Sequence, residues 1–273
     1  MPDSELGISV VITTYNEGRY LKDLLDSFVK QQGPMEVLLV DSMSTDETES
    51  VVREFQNKHN FLRYIRQQCS RGEGRNIGVK NASYDHVLFT DGDAIANPFW
   101  LRKMRETFRE GYDVVAGKTI QMGYEPFEKL GRVELYFEDF EVTSPSVNLG
   151  YSKKLFQEIG GFDVNFITAE DIDLNIRAVK AGGKIGFCED CIIYHRTRST
   201  FVGFIEQAFW NGFGRKQLNN KHLDVWSHFR FSEIFKPDVI NFWYVVRAAT
   251  ALLGYTTCKL FGDDFAKRRA SGS

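Results

Sequence analysis

Cysteine is scarce in this chain, with four in 273 residues, at positions 69, 188, 191 and 258. Thiols so few and so scattered exclude a disulfide-stapled scaffold. Cys188-Glu189-Asp190-Cys191 followed by His195 offers all but one of the ligands of a structural zinc, and no further ligand is close in sequence. These cysteines therefore read as small residues around a strand and a turn in a reducing compartment. Net charge is also small, at -3, so no global field attracts polyanions and nucleic acid is not an expected partner. A phosphate site would have to be a local cluster. Met1 to Gly7 is polar and acidic and lacks the apolar stretch of a secretory signal, which leads to a cytoplasmic expectation in which the acceptor triplet Asn81-Ala82-Ser83 stays unmodified. No long apolar run is free of charge either. Val239 to Cys258 carries Arg247 near its middle, a residue costing about 2.5 to 3.5 kcal/mol on insertion scales.

The hydrophobic content, 42%, suffices for one large core, or for a catalytic domain with an appendage. Ile8 to Ile12 is a β-branched run ending in Thr13-Thr14-Tyr15-Asn16-Glu17, after which Leu21, Leu24, Leu25 and Phe28 recur at helical spacing. Val37 to Val40 stops at Asp41, and Val51, Val52 and Phe55 mark a second helix. A strand near Arg63 to Ile65, a helix near Asn76 to Asn81, and the strand Val87-Leu88-Phe89 continue the alternation. Strands that are apolar throughout suit a mainly parallel sheet covered by helices on both faces, with ligands bound beyond the carboxyl ends of the strands. Gly72 to Gly78 does not fit a dinucleotide fingerprint, because its last glycine is one residue late and it is not the first strand-to-helix turn. Val114 to Ala116 reads as a further strand, and the acidic, aromatic stretch 125–141 as a helix.

Phe89-Thr90-Asp91-Gly92-Asp93 carries the most chemistry. On an extended backbone residues i and i+2 point the same way, so Asp91 and Asp93 can converge on one hard divalent cation. The same tripeptide also makes an ordinary turn. Glu170, Asp171 and Asp173 open a later helix, where acids favour the helix dipole and one of them could equally serve as a general base.

Together these segments resemble family 2 of the inverting nucleotide-sugar glycosyltransferases, which have the GT-A fold. The resemblance rests on Ser9 to Glu17, Val40 to Asp46, Gly74-Arg75-Asn76-Ile77-Gly78, Phe89 to Asp93, Gly160-Gly161-Phe162-Asp163, Glu170 to Leu174 and Tyr194-His195, in that order. It covers residues 8 to about 200. Thr13 stands where the family often has proline, and Ser42-Met43 departs from the usual loop. The resemblance implies a nucleotide cradle of Thr13, Tyr15, Glu17, Asp41, Arg75 and Asp91. It implies an Mg or Mn site of Asp91, Asp93 and His195, and Asp171 as the base that deprotonates an acceptor hydroxyl. The donor would be a UDP- or GDP-sugar, and the acceptor a glycan or a lipid-linked sugar or phosphate. Arg196 and Arg198 could reach the diphosphate.

The expected division is a catalytic domain at 1–199 and a helical appendage at 200–273. Phe201, Phe204, Ile205, Ala208, Phe209, Gly212 and Phe213 form one apolar helical face. That face either packs on the catalytic domain or lies in a membrane interface. A span through the bilayer would export Lys267-Arg268-Arg269 against the positive-inside tendency, which favours peripheral contact on the inner face of the membrane. The alternatives are a sugar-phosphate nucleotidylyltransferase, whose glycine- and arginine-rich amino-terminal loop is missing here because Thr13 to Glu17 occupies its place, and a non-catalytic nucleotide-sugar-binding module, against which Asp91, Asp93 and Asp171 argue.

Overall fold

Ile8, Val10, Val11 and Ile12 of the first strand, β1 (Ile8–Thr14), are all fully buried, so both faces of the sheet are covered. Val10 and Ile12 join a core with Leu21, Leu24, Leu25 and Phe28 of α1 (Gly18–Val29). Val11 points the other way. There follow β2 (Met35–Asp41), α2 (Thr48–Gln56), β3 (Leu62–Arg66) and α3 (Arg71–Asn81). A Cβ on Gly78 of α3 would come 2.2 Å from Val11 Cγ1, so α3 seats its backbone directly on the second face. The computed structural model describes residues 6–123, 130, 134–196, 200–224, 242–262 and 265.

The chain continues through β4 (His86–Asp91), β5 (Ala94–Ala96), α4 (Trp100–Arg109) and β6 (Val114–Met122). Next come β7 (Tyr136–Phe137), β8 (Phe140–Glu141), β9 (Leu149–Ser152) and α5 (Lys153–Glu158), then α6 (Glu170–Lys180) and β10 (Ile185–Arg196). Two helices follow, α7 (Phe201–Lys221) and α8 (Phe242–Phe261). Two compact units result. The first holds Met1–Gln121, Ser144–Phe162 and Arg177–Arg196; the second holds Met122–Thr143, Asp163–Ile176 and Thr197–Ser273.

The first unit is an α/β structure of the GT-A type, built on an eight-stranded sheet of order β3-β2-β1-β4-β9-β6-β10-β5. Strands β3, β2, β1 and β4 are parallel, while β9 runs antiparallel to β4 and β6, and β5 antiparallel to β10. Buried Asn148 ties the antiparallel half together. Its Oδ1 accepts from Trp100 Nε1 at 2.8 Å, and its Nδ2 donates to the Cys191 oxygen at 2.8 Å.

Three sequence expectations need correction. The helix α3 starts at Arg71, earlier than expected, because Ser70 and Glu73 form a reciprocal capping box. Within 125–141, the described residues 136–141 form the β7–β8 hairpin in place of a helix. Glu138 and Asp139 both have positive φ, the turn geometry that suits a two-residue hairpin. Residues 125–129 and 131–133 of that stretch lie outside the described residues. Cys188 and Cys191 form a disulfide, so they are not free thiols. Their Cα atoms are 5.3 Å apart, whereas an extended strand separates residues three apart by about 10 Å, so the backbone folds tightly there.

In the second unit α7 and α8 run side by side in the same direction. Phe201 and Phe204 meet Trp243 near the start of α8, and Phe213 packs with Cys258 near its end. Glycines permit this: a Cβ on Gly212 would fall 1.8 Å from the Ala251 oxygen, and one on Gly254 would fall 1.9 Å from the Phe209 oxygen. Among the described residues no helix is long and apolar enough to cross a membrane.

Candidate active site

Register brings the acidic residues to one edge of the sheet. Thr13 pairs with Asp91 on β4, and Thr14 pairs with Asp41 on β2, so the carboxyl ends of three strands finish together. The turn from β4 into β5 then carries Asp93, and the antiparallel pairing of Ala94 with His195 sets the histidine beside it. Ligand atoms of Asp91, Asp93 and His195 all lie within 4.8 Å of one another. Asp93 Oδ1 is 3.2 Å from His195 Nε2. That oxygen is buried and has no hydrogen-bond partner among the described residues, the condition expected of an atom built to meet something else. Two carboxylates and an imidazole suit Mg or Mn, which prefer oxygen ligands and tolerate nitrogen.

Asp91 is braced from behind. Arg75, fully buried, donates from Nη2 to Asp91 Oδ1 at 2.9 Å and lies over the Phe162 ring. Burial alone would raise the Asp91 carboxyl, but Arg75 and the positive charges of His195 and Arg71 bring it below its ordinary value. Glu17 behaves oppositely. Burial, and then the charges of Asp93 and Asp91, push its carboxyl up to about 7, against the lowering effect of a 3.0 Å bond from Thr14 Oγ1. Gly92 makes room for it, since a Cβ there would come 2.3 Å from Glu17 Oε2.

The loop after β1 is fixed by the loop after β2. Asn16, in the left-handed region, accepts from the Thr45 N–H at 2.8 Å, and its own N–H donates to Ser44 Oγ at 2.9 Å. Asp46 accepts from the Gly18 N–H at 3.1 Å and the Thr48 N–H at 3.0 Å. Asp41 is fully buried. Its Oδ1 accepts from the Ser44 N–H at 2.9 Å, and its Oδ2 from the Tyr64 hydroxyl at 2.6 Å. Burial first, and then this carboxylate, push the Tyr64 hydroxyl well above its ordinary value. Both Asp41 oxygens are thus engaged, one by the loop and one by β3, while Tyr15 in the loop after β1 stands exposed. A cavity of about 300 Å³, lined by Gln67, Gln68, Cys69, Glu73, Asn76 and Ile77, opens where β3 passes into α3. Cys69 is held to Ser42 by two hydrogen bonds.

The remaining sequence candidates are placed as follows. Asp171, in the second unit, is half-buried at the first turn of α6, and its Oδ1 accepts from the Ile172 N–H at 2.9 Å. Its neighbours differ from it, Glu170 being nearly closed to solvent and Asp173 completely so. Arg198 lies outside the described residues. Arg196 is committed to protein partners, donating to the Asp93 main-chain oxygen at 3.1 Å and to Asp23 at 2.6 Å, with its guanidinium over Tyr20. Sequence reading missed Tyr64, which holds Asp41, and Arg71, whose charge acts on both Glu17 and Asp91. The spacing of Arg71 from Arg75, one helical turn apart, was the available signal.

Residues 9–160 match the model of the family described as glycosyl transferase family 2, and residues 86–260 match that of glycosyl transferase family group 2. The chain belongs to glycosyl transferase family 2. This glycosyltransferase is 26% identical over 253 residues to a dolichyl N-acetyl-α-D-glucosaminyl phosphate 3-β-D-2,3-diacetamido-2,3-dideoxy-β-D-glucuronosyltransferase of Methanococcus voltae, covering 84% of this chain and 79% of that one. It is 27% identical over 226 residues to glycosyltransferase AglE of Haloferax volcanii, covering 77% and 73% respectively. Among solved structures it resembles a Staphylococcus aureus TarS fragment in complex with UDP, at TM-score 0.59 and 25% identity, covering 75% of this chain and 64% of the fragment. A mannosyltransferase of Pyrobaculum calidifontis, solved with GDP-Man and Mn2+, shares the fold at TM-score 0.65 and 18% identity, covering 97% and 79%.

Proposed function

We propose that this glycosyltransferase moves a sugar from a nucleoside-diphosphate donor to an acceptor, with inversion and with a divalent cation held by Asp91, Asp93 and His195. The observation that carries this reading is the buried Asp93 Oδ1, which has no hydrogen-bond partner among the described residues and lies 3.2 Å from His195 Nε2, inside a cluster of two carboxylates and an imidazole. When bound, the cation supplies Lewis-acid stabilisation of charge on the leaving diphosphate. Arg75 keeps Asp91 ionised for that role. Thr13, Tyr15 and Glu17 bound the donor from β1, and Asp41 contributes by fixing their loop through Ser44. UDP and GDP are the candidate nucleotides, since a TarS fragment was crystallised with UDP and the Pyrobaculum enzyme with GDP-Man.

Asp171 is the proposed general base, taking the proton from the acceptor hydroxyl as it attacks the anomeric carbon. Of the three acids opening α6 it is the one left accessible. Arg198 is assigned to the diphosphate oxygens. The name of the Methanococcus relative, a transferase to a dolichyl phosphate-linked sugar, supports a lipid-linked acceptor at a membrane surface. In this scheme residues 1–199 carry the chemistry and residues 200–273 serve the acceptor.

Transfer is tested directly by incubating the protein with UDP- or GDP-sugars and Mn2+, reading nucleoside diphosphate release. Metal-dependent release that disappears in Asp93→Ala is expected. Release unaffected by chelator would remove the cation from the scheme. In Asp171→Asn, donor binding persists by thermal shift while transfer is lost; normal turnover would remove Asp171 from its role.

A further inference from the structure

An exposed apolar surface runs along α8. Phe242, Val245, Leu252, Leu253, Leu260 and Phe261 are each between 55% and 74% exposed. At about 100° per residue all but Phe261 fall on one side of the helix, so they form one stripe along it, about 30 Å long. Ala248 and Ala249 are exposed beside it. The opposite side, with Gly254 and Cys258, is buried against α7. At the start of α8 the surface continues onto α7, where Phe201 and Val202 are exposed and the Phe201 ring meets Trp243 at 6.1 Å.

We propose that this stripe docks the enzyme on an anionic lipid surface, with α8 lying in the plane of the headgroups. The proposal rests on the lipid-linked acceptor assigned above and names the surface that would bring the enzyme to it. Charge selects the occupant. Between Phe242 and Phe261 there is no Asp or Glu, and the charged residues are Arg247 and Lys259. The sequence then adds Asp263-Asp264 and, after them, Lys267-Arg268-Arg269, so that cations outnumber acids. Arg247 is turned away from the stripe, its guanidinium over Tyr244 and its Nη1 donating to the Leu130 oxygen. Lys259 is exposed in the last turn. An apolar face on a helix that carries cations and no acid matches anionic headgroups over an acyl layer.

The test uses the full-length protein in flotation with phosphatidylcholine vesicles, with and without phosphatidylglycerol. The wild type is expected to float with the anionic vesicles, less so at high salt. The double variant Leu252→Glu/Leu253→Glu, at exposed positions where folding is unaffected, is expected to lose at least about tenfold in bound fraction. Absence of flotation by the wild type overturns the proposal, as does equal flotation of the variant. So does a wild-type dimer in sedimentation that the variant converts to monomer. Metal-dependent hydrolysis of a UDP- or GDP-sugar, measured without vesicles, is expected to be equal in both proteins. Its failure in both, with flotation intact, would sink the transfer reading alone.

Discussion

Arg196 Nη1 donates to the Asp93 main-chain oxygen over 3.1 Å, so the residue next to one candidate metal ligand, His195, fixes the backbone of another. The guanidinium is itself held by Asp23 at 2.6 Å and by the Tyr20 ring. Outer groups that orient ligands commonly change metal affinity by about 10- to 100-fold. Arg196→Ala is therefore expected to raise the Mn2+ concentration for half-maximal activity about tenfold, with little change at saturating metal. Arg196→Lys should fall between. Direct Mn2+ titration by calorimetry checks this, and an unchanged metal requirement with reduced maximal rate would place Arg196 on the substrate instead.

Asp173 and Asp171 are two residues apart and are expected to fail in different ways. Asp173 is completely buried, with Oδ1 at 2.8 Å from Lys221 Nζ and 2.8 Å from His222 Nε2, so it joins α6 to the end of α7. Lys221 is about a third exposed and keeps Asp163 at 2.6 Å, so losing Asp173 mainly leaves buried His222 without its carboxylate, at a cost of about 1 to 3 kcal/mol. Asp173→Ala should therefore lower the denaturation midpoint sharply. Asp171→Asn should shift stability by less than about 0.5 kcal/mol while abolishing transfer. Urea unfolding and product release, run on both variants, separate the two roles.

The parallel strands were legible because each is an apolar run closed by an acid or a turn, and the acids at their ends were legible for the same reason. The start of α3 was not. Its buried side is Gly72, Gly74, Arg75, Gly78 and Val79, with Gly74 seated on Thr13 and Gly78 on Val11, so the helix has almost no hydrophobic period to read. The β7–β8 turn uses two left-handed residues, Glu138 and Asp139, neither of them the expected Asn or Gly. Cys188 and Cys191 meet only because the backbone folds between them, which spacing does not reveal. At the site, Asp91, Asp93 and His195 were named together from the resemblance, and the structure gathers them. The grip of Tyr64 on Asp41 depends on the pairing of β2 with β3, a register that no local pattern states.

The α7–α8 contact depends on two missing side chains. Adding a methyl at Gly212 or Gly254 meets main-chain oxygen within 2 Å, and backbone cannot swing aside as a long side chain can. Overpacking of this kind costs about 1 to 3 kcal/mol. Gly212→Ala and Gly254→Ala are each expected to lower the melting temperature, and the pair to be less than additive, because the first substitution already separates the helices. Trp243 fluorescence reports the loss locally. No change in either variant would mean that the two helices are not held at this distance.

Glu36 gives the first unit a defined acid sensitivity. Burial would raise its carboxyl, but bonds from the Ser83 N–H, the Ser9 hydroxyl, Arg63 and the Ser83 hydroxyl outweigh this and hold it below its ordinary value of 4.5. Ser9 Oγ donates at 2.7 Å and Arg63 Nη1 at 3.1 Å, so the carboxylate joins β1, β2, β3 and the segment before β4. Because the folded state prefers the ionised form, this stabilisation is complete above the unfolded value near 4.5 and is lost as pH falls through the lower folded value. Glu36→Gln should therefore be less stable than wild type at pH 7 by about 1 to 3 kcal/mol, since its amide nitrogen would face donors. The difference should shrink steadily below about pH 4.5, where the wild-type carboxyl takes up a proton and loses the same bonds. Urea midpoints for the two proteins from neutral to acid pH measure this, and parallel curves across the range would show that the Glu36 charge contributes nothing.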